Sequence, residues 1–243
     1  MSCPFDINRE FESELCRYTG AKFAVTTNSC TMALFLALKW HYEQGCGFET
    51  VAIPARTYVS VPMVIKQAGF NVAFEDREWR GWYNLRPLQI WDSARYFTSG
   101  IFNQLAFDLC SRSGFGFVCV SFHSTKTLGL KRQILREAGL GDLDSDGLYP
   151  TGEWDIEQGG AILHNSPEAD AWFRKARFDG RTEGVAPAED RFDMIGYHCY
   201  LNPSSARLGL QLLRQLPQHN PPLPNDDYPD LSLHPIFGGK GAE

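Results

Sequence analysis

Four things are missing from the 243-residue sequence: a cysteine pair at CxxC spacing, an apolar run of membrane-spanning length, a Lys/Arg-rich run and an internal repeat. Its seven cysteines stand at positions 3, 16, 30, 46, 110, 119 and 199, an odd number at scattered spacings. That pattern argues against a disulfide scaffold and a cysteine-ligated zinc, and for a reducing compartment. Cys119 and Cys199 lie in apolar or aromatic contexts and read as small core residues. No apolar stretch approaches the ~18 residues of a membrane helix, and MSCPFDINREFE carries no apolar signal core. The expectation is a soluble, cytoplasmic chain with no membrane partner. Net charge is −6. With no basic run, a nucleic-acid partner held by phosphate neutralisation is not expected.

What is present is an ordinary globular composition, 43% hydrophobic and 21% charged, with an aromatic share of 13% that suits an aromatic-lined pocket. Residues 7–19 pattern as an amphipathic helix closed by Gly20. Strands are predicted at Phe23–Thr27, Thr50–Ile53, Phe70–Glu75, Leu88–Trp91, Val118–Val120 and Gly160–Leu163. Helices are predicted at Met32–Trp40, Tyr58–Ala68, Glu168–Arg177 and 204–216. Strands alternating with helices predict an α/β fold with a mostly parallel central sheet and helices on both faces. Residues 1–216 form the folded unit, and the proline-rich, polar residues 217–243 read as an extended C-terminal tail.

Three loops fall at predicted strand ends, where open α/β sheets bind ligands. Asn28-Ser29-Cys30-Thr31-Met32 opens a helix, whose free N–H groups suit a phosphate. Asp92 closes an apolar strand, where a carboxylate seeks a cationic partner: a protonated heterocyclic nitrogen, or Arg95. Tyr58 offers a flat stacking face. In SFHSTK, residues 121–126, a lysine sits among small polar residues just past a strand. Desolvation there favours the neutral amine that forms a Schiff base. A phosphate cradle, a carboxylate for a pyridinium, an aromatic platform and an amine are together what pyridoxal 5′-phosphate (PLP) demands.

The segments FESELCRYTGAKFAVTTNSCTMAL (11–34), ETVAIPARTYVSVPMVIKQAGFNVAFED (49–76), IWDSA (90–94), SFHSTK (121–126), GGAIL (159–163), FRKARFDGR (173–181) and IGYHCYLNPSSARLGLQLLRQL (195–216) carry a family resemblance. The chain resembles the DegT-type (DnrJ/StrS-like) PLP-dependent sugar aminotransferases, in a compact version lacking most of the C-terminal small domain. The resemblance implies the large domain of a fold-type I PLP-dependent transferase. It implies glutamate or glutamine as donor, a keto group on a nucleotide-linked sugar as acceptor, and a homodimer with a shared active site. It makes Lys126 the Schiff-base lysine and proton shuttle, and Asp92 the partner of the pyridine nitrogen. Tyr58 would stack on the ring; Thr31, Ser121 and the backbone around Cys30 and Met32 would hold the phosphate; His123 would stand near the cofactor.

The chain departs from the family pattern in several places. Arg95 replaces a glutamine near the ring hydroxyl, to which a cation still donates. The family's GYNxR loop, which reaches the neighbour's phosphate, reads Gly196-Tyr197-His198-Cys199-Tyr200, leaving His198 as the remaining donor. An insertion, residues 133–158, follows the lysine. Within it Asp142, Asp144, Asp146 and Glu153, with Gly147, match the EF-hand loop pattern and suggest calcium, with 131–140 as an entering helix. A smaller insertion covers Leu105–Ser113. His41, His164, His219 and His234 read as surface or loop residues, Asp226-Asp227 as a solvated pair, and Arg174, Lys175, Arg177 and Arg181 as a solvated helix face. Two alternatives remain: a catalytically altered PLP- or calcium-binding family member, and a PLP-dependent sugar dehydratase, against which the presence of Lys126 argues.

Overall fold

Near-continuous burial in the central strands and apolar faces on the helices organise the molecule around one sheet. The computed structural model describes residues 5–106, 116–133 and 154–238. In chain order the elements are α1 (Asp6–Thr19), β1 (Phe23–Thr27), α2 (Cys30–Glu43), β2 (Thr50–Pro54), α3 (Ser60–Gln67), β3 (Asn71–Glu75), β4 (Tyr83–Leu85), β5 (Ile90–Asp92), α4 (Ile101–Ala106), β6 (Phe117–Ser121), β7 (Lys131–Gln133), β8 (Trp154–Ile156), β9 (Gly160–His164), α5 (Pro167–Ala176) and α6 (Pro203–Leu213). Gly20 ends α1 at φ 84°, a left-handed conformation that a β-carbon would strain.

The main sheet has the order β1-β9-β6-β5-β4, and β2 and β3 form a separate parallel pair. β5 and β6 pair in parallel, whereas β9 runs against both β1 and β6, and β4 runs against β5. The expected mostly parallel sheet therefore shows in the common direction of β1, β5 and β6, of which only β5 and β6 are paired neighbours. The reason is local: β9 inserts between two co-directional strands, and β4 meets β5 as a short antiparallel arm.

Alternate residues of β6 enter opposite cores. Phe117 and Cys119 pack with α2 and α5; Val118 and Val120 pack with α1, α4 and α6. Both faces of the sheet are thus covered by helices. All five residues of β6 are buried, which explains why it reads as a continuous apolar run.

At the β1 edge of the sheet, buried charges tie α1, β1 and α5 together. Arg177, expected on a solvated face, is 1% exposed. It pairs with Glu12 and donates to the Thr26 carbonyl at 2.7 Å, while its other amine lies 2.7 Å from Glu183. Arg174 reaches the second oxygen of Glu12 at 2.7 Å. A long arginine at the end of α5 points inward because Glu12 is already buried there and needs a cation. His164 is also buried, against the surface expectation. It stacks on Phe23 and meets Phe117 and Phe173 edge-on.

The C-terminal segment is extended, as its composition implies, but it is docked along the body. The Asn220 N–H donates to Thr98 Oγ1 at 3.0 Å, Leu223 N–H to the Arg95 carbonyl at 2.8 Å, and Leu231 N–H to the Ala55 carbonyl at 2.9 Å. Lys131–Gln133, expected to begin a helix, is instead a strand paired antiparallel with Trp154–Ile156. The two close the base of the long insertion. Asp142, Asp144, Asp146 and Glu153 lie outside the described residues, as does most of the smaller insertion. No cluster of three or more metal-ligating side chains occurs among the described residues. Nor, among them, is any helix long and apolar enough to cross a membrane.

Candidate active site

β5 and β6 end side by side, and the start of β9 is paired with the end of β6 through Ser121 and Gly160. A β-carbon on Gly160 would lie 2.4 Å from the Cys30 backbone nitrogen. Glycine there lets the first turn of α2 come down onto the sheet edge. Ser29 caps that helix by accepting from Met32 N–H at 3.2 Å. The N–H groups of Cys30 and Thr31 lie in the first turn, where no helical acceptor exists. Between these elements lies a cleft of about 290 Å³.

Asp92 stands on one wall, 6% exposed. Its Oδ1 accepts from Ala94 N–H at 2.9 Å, and its Oδ2 accepts from Tyr83 Oη, also at 2.9 Å. Tyr83 is its register partner across β4–β5, and the Tyr83 hydroxyl meets Thr57 Oγ1 at 2.7 Å. Burial raises the Asp92 pKa, opposed by these two hydrogen bonds and by the charge of Lys126. Burial and the neighbouring carboxylate push the Tyr83 phenol well above its ordinary value, so it stays a donor.

Lys126 rises from the turn after β6. The turn is held by Phe122 and Leu130, both buried, which exchange a backbone bond at 3.0 Å. Gly129 is required within it, because a β-carbon would sit 2.4 Å from the Ser124 carbonyl oxygen. Among the described residues no ion pair or side-chain hydrogen bond holds the Lys126 amine. Desolvation lowers its pKa, Arg95 lowers it further, and Asp226 and Asp92 oppose the shift. The result is an amine that loses its proton more easily than a surface lysine.

The cleft brings together Cys30, Thr31, Tyr58, Asp92, Arg95, Ser121, His123 and Lys126 of the residues singled out in the sequence. Tyr58 is exposed at the mouth, beside the Thr31–Ser60 hydroxyl pair at 2.9 Å. Ser121 Oγ accepts from His123 N–H at 3.3 Å, and His123 Nδ1 lies 3.0 Å from Thr125 Oγ1. Met32 and His198 do not line the cleft. Met32 packs against the α2-side core, and its N–H is used by the cap. His198 Nδ1 lies 2.8 Å from Asp179, and Tyr200 joins an aromatic cluster with Phe5 and Phe178.

Sequence reasoning missed Tyr83 and Thr57 behind Asp92, and Trp79, Asp226 and Tyr228 on the rim. Asp226, read as solvated, accepts from Arg95 Nη1 at 2.6 Å, and Tyr228 stacks on Trp79 with centroids 6.1 Å apart. The alternation Trp82-Tyr83-Asn84-Leu85 was a strand signal for Tyr83. Nothing local in NDDYP points back to the cleft.

The sequence model of the DegT/DnrJ/EryC1/StrS aminotransferase family matches residues 5–103. The spore coat polysaccharide biosynthesis protein SpsC of Bacillus subtilis (strain 168) is 38% identical over 82 residues, which are 34% of this chain and 20% of that protein. A putative PLP-dependent aminotransferase from Bacillus cereus ATCC 10987 superimposes with a TM-score of 0.58 at 13% identity, over 88% of this chain and 60% of that one. Helicobacter pylori PseC, an aminotransferase involved in the biosynthesis of pseudoaminic acid, gives 0.58 at 17% identity, over 87% of this chain and 58% of that one. The chain thus spans a fifth of its curated relative and about three-fifths of these solved chains. Residues 5–103 thus resemble the DegT/DnrJ/EryC1/StrS aminotransferase family, and the described residues take the fold of the PLP-dependent aminotransferases.

Proposed function

We propose that this chain is a PLP-dependent aminotransferase that moves an amino group from glutamate or glutamine to a keto group, the acceptor being a nucleotide-linked sugar. The observation that carries the reading is one cleft shared by a desolvated lysine amine, unpartnered among the described residues, and a buried, doubly hydrogen-bonded aspartate. The donor set suits the cofactor. Cys30 and Thr31 N–H groups, with the Thr31 and Ser60 hydroxyls, would hold the phosphate. Asp92 would hold a protonated ring nitrogen, and Arg95 has a buried Nε with no hydrogen-bond partner. When bound, PLP supplies the electron sink for breaking a substrate C–H bond.

The chain's own residues then do the rest. Tyr83 and Ala94 keep Asp92 ionised and oriented. The Lys126 amine, with its lowered pKa, takes a proton at the donor's Cα and returns one to the acceptor's carbon. Tyr58 covers one side of the cleft at its mouth. A homodimer with a shared site belongs to the same reading. His198, exposed beside Asp179, would turn from that carboxylate to reach the partner's phosphate, whereas Tyr200 is held in an aromatic cluster of its own chain.

The test is optical. Purified chain mixed with PLP should develop a near-visible absorbance band that Lys126→Ala abolishes, and glutamate should convert the band to that of the amine form. A band that glutamate leaves unchanged would instead favour a family member with altered catalysis, and no band at all would remove the PLP reading.

A further inference from the structure

We propose that Arg95 anchors a free carboxylate of the amino donor, and that Asp226 of the C-terminal segment occupies this anchor until the donor displaces it. The proposal rests on the aminotransferase reading and adds to it the residue that selects the donor.

A carboxylate entering a partly dry cleft needs a cation with hydrogen-bond donors. Among the described residues lining the cleft, Lys126 and Arg95 are the lysine and arginine side chains, and Arg95 alone of the two keeps its charge at every working pH. Lys126 is committed to proton transfer. Arg95 has its side chain 9% exposed, and its donors face two directions. Nη1 donates to Asp226 at 2.6 Å and lies 3.4 Å from Tyr228 Oη, Nη2 donates to the Pro224 carbonyl, and Nε has no hydrogen-bond partner. The guanidinium can therefore face the cofactor through one edge and a carboxylate through the other.

Asp226 already supplies such a carboxylate. It sits on a segment without helix or strand, and its side chain is 62% exposed. An ion pair half in water is easily exchanged, and the incoming group is chemically the same. The exchange also conserves charge. Arg95 and Asp226 act on the Lys126 amine with opposite sign, so a donor carboxylate replacing Asp226 leaves the amine in a similar field. The backbone bond from Leu223 to the Arg95 carbonyl holds the segment in place while the side chain swings away.

The probe is glutarate, a dicarboxylate with no amine to transfer, titrated calorimetrically into the PLP-loaded chain. Asp226→Asn removes the competitor with little change of volume and should tighten glutarate binding about tenfold, a step typical of a charge-assisted contact freed from competition. Arg95→Gln should weaken it by a similar factor. Asp227→Asn, the same charge change on the exposed neighbour, should stay within about twofold of wild type. Melting curves on each variant confirm that the chain remains folded, and Asp226→Glu, which keeps the charge, should bind like wild type. Glutarate affinity in Asp226→Asn that is no tighter than in wild type, or no different from Asp227→Asn, overturns the proposal. The same titration without PLP separates the two ideas: a chain that forms no cofactor band yet still tightens loses the aminotransferase reading but keeps the anchor.

Discussion

Two buried groups of charges flank the same sheet, one at its β1 edge and one at the ends of β5 and β6, and they are finished differently. Around Glu12, every strong group has a partner: Arg174 and Arg177 hold its two oxygens, Thr26 donates to it, and Arg177 turns its other edge to Glu183. Burial would raise the Glu12 pKa, yet the two arginines outweigh it and hold the carboxyl at about 2. Around Asp92 the accounting is left open. Two donors hold the carboxylate, but among the described residues no side chain pairs with the nearby Lys126 amine, and the balance leaves Asp92 raised and Lys126 lowered. A closed network stabilises and fixes geometry; an open one leaves groups able to change protonation and bind.

The comparison breaks most clearly at Lys126. Lys126→Ala should lower transamination by about a thousandfold or more, while the unfolding free energy moves by less than about 0.5 kcal/mol. A large loss of stability in urea would mean that Lys126 is structural after all.

Glu12→Ala should do the reverse. It leaves Arg177 buried without its anion, which costs about 3–5 kcal/mol by denaturant unfolding. The folded fraction should still bind PLP with wild-type affinity. Weakened binding in that fraction would show that the two clusters are coupled through the sheet.

Acid should act on the closed side first. Burial keeps His164 neutral down to about 3, against an ordinary value of 6.5. Its contribution is fully present above pH 6.5 and is lost as pH falls toward 3, because the unfolded chain takes up the proton earlier. Glu12 adds stability that is present above 4.5 and is lost as pH falls through about 2. His164→Leu should therefore flatten the stability profile between pH 6.5 and 4.5, by a few kcal/mol at most, and leave the steeper loss below it. An unchanged slope in a pH series of unfolding curves would locate the acid sensitivity elsewhere.

The smallest expected effect is on the open side. Tyr83→Phe removes one hydrogen bond to Asp92 and raises the carboxyl further. PLP affinity should fall by about fivefold, consistent with a contact worth roughly 1 kcal/mol, and the pH dependence of the cofactor spectrum should shift upward. Equal loss at every pH, with no shift, would make Tyr83 a packing residue only.

Much of this frame was legible along the chain. The Phe23–Thr27 strand appears as expected, and α1 closes at Gly20. Asp92 and Lys126 follow apolar strands and reach one cleft because strand ends gather at a sheet edge. The antiparallel course of β9 was less legible, since a short buried strand has the same apolar pattern in either direction. His164 and Arg177 were misplaced for a related reason. Residue type predicts exposure on average, whereas their burial depends on Phe117, Phe173 and Glu12, distant in sequence.

By itself, then, the sequence determined the alternation of elements and the identities of the amine and the carboxylate. These follow from local propensity, periodicity and side-chain chemistry. Only the tertiary structure decided which charges are closed off and which remain open. It brought Tyr83 to Asp92 across a register, Arg177 to Glu12 at the β1 edge, and Asp226 back to Arg95 along a docked segment. Such pairings depend on desolvation by residues far apart in the chain, and no local pattern encodes them.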